Sequence, residues 1–167
     1  MREATQKCLE MIKQFEGCVL HSYKCLSNEK YYTIGYGHYG ITDPDLTITE
    51  KDANQYLKND LKPIYGTLGY YDRYYDFTDY EYDALVSFCY NLGTGIMKQL
   101  TQKCTRNKVE IADAILRYNK SGNTIVSGLV KRRYAEYNLF TKGIYPDGST
   151  TTETLIGTID EIIPLDD

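Results

Sequence analysis

The sequence predicts an α+β fold: a small antiparallel β lobe, a larger helical lobe, and a cleft between them. Three observations predict it. Apolar residues recur with helical period over residues 4–16, where Cys8, Met11, Ile12 and Phe15 share one face between charges. Residues 18–42 then turn β-branched, aromatic and glycine-punctuated. From Thr49 to about residue 140 helical patterns return, separated by cap and stop signals.

The first helix stops at Gly17, which puts Glu16 at its last position. Val19-Leu20 and Tyr31-Tyr32-Thr33-Ile34 read as strands, with the turn-like Ser27-Asn28-Glu29-Lys30 between them. Gly35, Gly37 and Gly40 interrupt the second half, so the β lobe (about 18–42) is expected to be strongly bent. The next helix follows Thr49, aligns Ala53, Leu57 and Leu61, and is expected to approach its end at Pro63, which has no N–H to donate. Thr78 and Glu81 form a capping box. The helix they open carries Leu85, Phe88, Cys89 and Leu92 to a stop at Gly93-Thr94-Gly95. Further helical patterns cover about 96–104, 108–119 and 129–140. Residues 1–143 therefore read as one domain. Residues 144–167 form a C-terminal extension of different composition, either a docked strand or an acidic tail, whose role the sequence does not specify.

Composition narrows the function. The 167 residues are 42% hydrophobic and 25% charged, enough for a core without staples. No apolar run reaches the ~20 residues of a membrane span, and the N-terminus lacks the apolar region of a signal peptide. The expectation is a chain made in the cytoplasm that leaves by a separate route. A net charge of −4 disfavours nucleic acid as the main partner. Five cysteines, an odd number, are expected as reduced thiols, with Cys8 and Cys89 in the core. Cys18, His21 and Cys25 cluster without a standard zinc spacing, so no metal site is assigned. The 18 tyrosines, with no tryptophan, are read chiefly as core and edge residues and secondarily as platforms for a sugar polymer.

Glu16 alone is an unremarkable helix-end residue. In that position the helix carbonyls, and burial beside Phe15, would favour its protonated form, as a proton donor to a glycosidic oxygen requires. Its context gives it meaning. Phe15-Glu16-Gly17 is followed by Tyr23-Lys24-Cys25 and then by Thr33-Ile34-Gly35-Tyr36-Gly37-His38. Later come Thr47-Ile48-Thr49-Glu50, Asp83 to Phe88 with Asn91-Leu92-Gly93-Thr94-Gly95, and Gly128 to Arg133 with Glu136. Over about 140 residues, in this order, the chain resembles the phage-type lysozymes of glycoside hydrolase family 24; the tail after Gly143 is not covered.

The resemblance implies a lysozyme-like fold and a cofactor-free, monomeric muramidase. Its substrate would be the β-1,4 bond between N-acetylmuramic acid and N-acetylglucosamine in peptidoglycan, cut with inversion. Glu16 matches the family's general acid and Thr33 the threonine that helps hold the attacking water. Gly35, Tyr36 and His38 are candidate substrate-facing positions. For His38 a structural, hydrogen-bonded role is preferred, and the glycines serve close backbone approach to sugar or to a neighbouring strand. Cys25 stands where the family usually has aspartate. A thiol titrates near about 8.5, so Cys25 either positions water as a neutral group, acts as a thiolate base or nucleophile, or fills space. The loop from Cys25 to Thr33 is about two residues longer than usual, and Glu29 within it is expected to be a solvated tip, although it is a possible second carboxylate. Lys131-Arg132-Arg133 is either a solvated helix face or a contact for anionic wall polymer, with the solvated face preferred for at least two of the three. The alternative to an enzyme is a non-catalytic glycan-binding module on the same fold, motivated by the missing aspartate and the acidic charge.

Overall fold

The computed structural model describes residues 1–146. The tail expectation for 144–167 falls, from residue 147 onward, outside the described residues. Among the described residues the fold is a three-stranded sheet against a helical lobe. Helix α1 (Gln6–Glu16) begins where the Thr5 side chain accepts from the Cys8 N–H, and buries Cys8, Met11 and Ile12. It ends at Gly17, whose φ of 67° turns the chain away.

The sheet has the order β1 (Val19–Tyr23), β2 (Tyr32–Gly35) and β3 (His38–Ile41), antiparallel throughout. Tyr23 and Tyr39 flank Thr33 in register, and irregularities in both ladders bend the sheet as the glycine spacing suggested.

Helix α2 (Glu50–Tyr75) joins the lobes. It does not approach an end at Pro63 but runs through it for twelve more residues, because its buried face is continuous: Ala53, Leu57, Leu61, Ile64, Tyr65 and Leu68 all pack inward. Tertiary burial outweighs the one backbone bond that proline forfeits. Helix α3 (Asp79–Leu92), opened by the predicted Thr78–Glu81 box, is the centre of the core, with every residue from Tyr82 to Cys89 buried. It packs on α1, α2 and α6 (Ser127–Lys142).

Two other expectations change. The helix predicted over 96–104 is a 3-10 turn followed by a short α4 (Met97–Leu100). It stops because side chains take its last carbonyls: Thr101 Oγ1 donates to Met97 O at 2.8 Å and Arg106 to Leu100 O at 2.8 Å. Gln102, Lys103 and Cys104 then turn left-handed. The pattern over 108–119 closes early as α5 (Lys108–Ile115), and a hairpin of β4 (Lys120–Ser121) and β5 (Thr124–Ile125) follows.

Candidate active site

Glu16 sits where the two lobes meet. A groove of about 490 Å³ opens there, lined by Glu16, by Gly37 and Tyr39 of the β lobe, by Asp60 and Pro63 of α2, and by Tyr90 and Asn91 of α3. The end of α1 delivers the carboxyl to this groove because Gly17 halts the helix one residue later. Across from it, Gly37 has φ +93°, and a Cβ at that position would stand 3.6 Å from Glu16 Oε2. That oxygen therefore faces the β-lobe wall of the groove. The other, Oε1, accepts from Arg132 Nη1 at 2.5 Å.

That ion pair corrects the basic triplet. Lys131 is exposed, but Arg132 is 4% exposed and Arg133 fully buried, so two of the three are not a solvated face. Long-range partners draw them in, Glu16 on α1 for Arg132 and Asn91 on α3 for Arg133 (3.0 Å), together with Glu136 on the same helix for both. Phe15, next to the acid in sequence, also contacts Arg132. Its ring lies 5.2 Å beneath the guanidinium and supports the cation. The signal available in the sequence was the i,i+3 and i,i+4 spacing of the arginines to Glu136.

Three candidate residues gather around Tyr23 on β1. Burial pushes its phenol up, and the neighbouring Cys25 adds to that effect, followed by the charges of Glu16 and Glu29. Cys25 is exposed in the loop after β1. Glu29 is not a solvated tip. Its Oε2 accepts from the backbone N–H of Cys25 at 3.0 Å and of Leu26 at 3.3 Å, so it fixes the turn that presents the thiol. Thr33 is buried on β2, directly opposite Tyr23.

The substrate-facing trio divides. Gly35 is buried with φ +65°, and a Cβ there would come within 3.2 Å of Ala53 Cβ, so it permits the close approach of β2 to α2. Tyr36 is also buried; burial first, then the neighbouring Cys18, holds its phenol up at about 12, and its carbonyl accepts from Tyr90 Oη at 2.8 Å. These two residues build the wall and do not line the groove. His38 bonds Asp60 through Nδ1 at 2.9 Å and stacks on Tyr56 at 4.3 Å, which ties β3 to α2. The groove residues that sequence reasoning missed are Tyr39, Asp60 and Tyr90, which carry no local signal, and Asn91, which stands in a family motif but was not read as part of the site. Among the described residues no group of three or more His, Cys, Asp or Glu side chains is placed to hold a metal ion.

A helix-end carboxyl facing an interlobe groove, beside a three-stranded sheet, defines a lysozyme-like protein, and solved structures agree. The muramidase domain of SpmX from Asticaccaulis excentricus superposes with a TM-score of 0.74 at 28% identity, covering 84% of this chain and 99% of that one. An endolysin from Escherichia coli O157:H7 phage FAHEc1 gives 0.70 at 29% identity, covering 87% and 98%. Residues 13–136 match the phage lysozyme family model, and the chain belongs to that family. It is 40% identical over 143 residues to an endolysin of Bacillus phage B103, covering 83% of this chain and 54% of that protein. The chain thus spans about half the length of the curated Bacillus phage relatives it matches.

Proposed function

We propose that the chain is a muramidase that hydrolyses the β-1,4 bond between N-acetylmuramic acid and N-acetylglucosamine in peptidoglycan. The observation that carries this reading is the placement of Glu16: one oxygen held by Arg132, the other facing an open groove beside a glycine. Relatives named endolysin and a structural neighbour named a muramidase domain support the choice of substrate.

In this mechanism the Glu16 carboxylic acid gives its proton to the glycosidic oxygen as the C–O bond breaks. Positive charge develops at the anomeric carbon. Water enters from the opposite face, held by the Thr33 hydroxyl and the Cys25 thiol. It bonds to the anomeric carbon, releases its proton to solvent and leaves an inverted product, and Glu16 takes up a proton for the next turnover. Glu29 serves by fixing the Cys25 turn. The protein acts as a monomer on the cell wall, after release from the cytoplasm where it is made; the five free thiols fit that compartment.

Clearing of a peptidoglycan suspension tests the reading. Wild type clears it, and Glu16→Gln, with the same shape but no proton to give, is slower by roughly 10²- to 10⁴-fold. Equal rates for the two proteins exclude Glu16 as the acid.

A further inference from the structure

Behind Glu16, sealed from the groove, stands a second carboxylate. Glu136 is 0% exposed, and its Oε1 accepts from Ser87 Oγ at 2.7 Å, Arg133 Nη2 at 3.1 Å and Arg132 Nε at 3.2 Å. Its Oε2 lies 2.8 Å from Arg133 Nε but off the line of a hydrogen bond, so that contact is coulombic. Arg132 then continues outward: Nη2 donates to Ser87 O at 3.2 Å, and Nη1 grips Glu16. One guanidinium bridges a sealed carboxylate and a groove-lining one. A buried ion cluster is weak evidence for stability, so its place behind the acid calls for another reason.

We propose that Glu136 is a positioning residue for Glu16. By holding Arg132 at Nε it fixes Nη1 on Glu16 Oε1, which leaves Oε2 to the groove. By sharing Arg132 it also offsets part of the guanidinium charge that acts on Glu16. This inference rests on the muramidase reading for its catalytic meaning, but the coupling it describes does not.

The charges balance around the cluster: two guanidiniums against two carboxylates. The other titratable groups facing Glu16 are Tyr23 from β1, Tyr90 from α3 and, along the same groove, Tyr39 of β3 and Asp60 of α2, which is bonded to His38. Those facing Glu136 are Cys8 from α1 and Cys89 from α3. Burial pushes Tyr23, Tyr90 and both thiols up, so these stay neutral through the working range. Removing the Glu136 charge therefore leaves two cations acting on Glu16 alone.

The test is a ¹³C NMR titration of the Glu16 side-chain carboxyl in the full chain, alongside kcat and KM on soluble peptidoglycan fragments across pH. In Glu136→Gln the Glu16 midpoint falls by roughly one pH unit. The alkaline limb of kcat/KM moves down with it, because a general acid is lost as pH rises through its midpoint. Glu136→Asp keeps the charge but retracts it, so the midpoint falls less, by about 0.3, while kcat drops several-fold at unchanged KM. A folded Gln variant with an unmoved Glu16 midpoint overturns the proposal. Should the Gln variant not fold, an Asp variant matching wild type in both midpoint and kcat overturns it. An inactive wild type would defeat the muramidase reading, yet the titration would still decide the coupling.

Discussion

Glu16 is confined by two neighbours, Arg132 on one oxygen and Gly37 beside the other. The confinement makes Gly37 hard to replace. At φ +93° an L side chain is strained, and its Cβ would rest against the oxygen that must reach the sugar. Gly37→Ala is expected to cost about 1–2 kcal/mol of stability and to lower kcat, read by thermal unfolding and by fragment hydrolysis. Gly35→Ala fails differently. Its methyl group would press on Ala53 at 3.2 Å, so the loss is of folding and not of chemistry, about 2 kcal/mol or more. Cys25 offers a third test. As a passive water holder on a fixed turn it is expected to tolerate Cys25→Asp with retained or higher activity, while Cys25→Ala loses less than Glu16→Gln. Matching losses from the Ala and Gln variants would give the thiol a direct part in the reaction, and the configuration of the product anomer would then say which one.

At the scale of elements, the caps are the parts most dependent on single side chains. Thr78 accepts from the Glu81 N–H and Glu81 returns a bond to the Thr78 N–H, which anchors the central helix; Thr78→Ala should lower stability by about 1 kcal/mol in denaturant titration. The matching box on α2 carries a pH signature. The Asp52 carboxyl is held below its ordinary value, first by the Thr49 hydroxyl and then by the Thr49 backbone N–H. A depressed folded value means the stabilisation is present above the ordinary carboxylate range and is lost as pH falls through the lowered one. Asp52→Asn is therefore expected to unfold earlier than wild type at neutral pH, with the gap closing below about pH 4. The same elements show what local sequence can carry. The end of α1 at Gly17, both threonine caps and the bent strands around Thr33 are legible because each rests on neighbours within a few residues. Pro63 misleads because the apolar face of α2 extends past it, and that face has meaning only against α3.

Across the whole molecule the two lobes are held together by α2, by its packing on Gly35 and by the His38–Asp60 bond. His38→Ala removes both that bond and the stack on Tyr56, and should lower the unfolding midpoint by about 1–3 kcal/mol equivalent. Glu16 was readable as a site residue from its motif, but its partner was not. Arg132 lies 116 residues away, and a charged triplet on a late helix reads as solvent-facing until the fold shows the carboxylates waiting for it. Tyr90 was likewise invisible, and Asn91 was legible only as part of a motif, since only the closing of α3 against the β lobe makes them groove walls. The claim at the centre is that a groove-facing acid splits a glycan backbone. Mass spectrometry of glycan strands stripped of their peptides tests it most directly. Wild type should yield fragments with new reducing ends at muramic acid while Glu16→Gln yields almost none; intact strands after wild-type treatment, or the same fragments from both proteins, would contradict it.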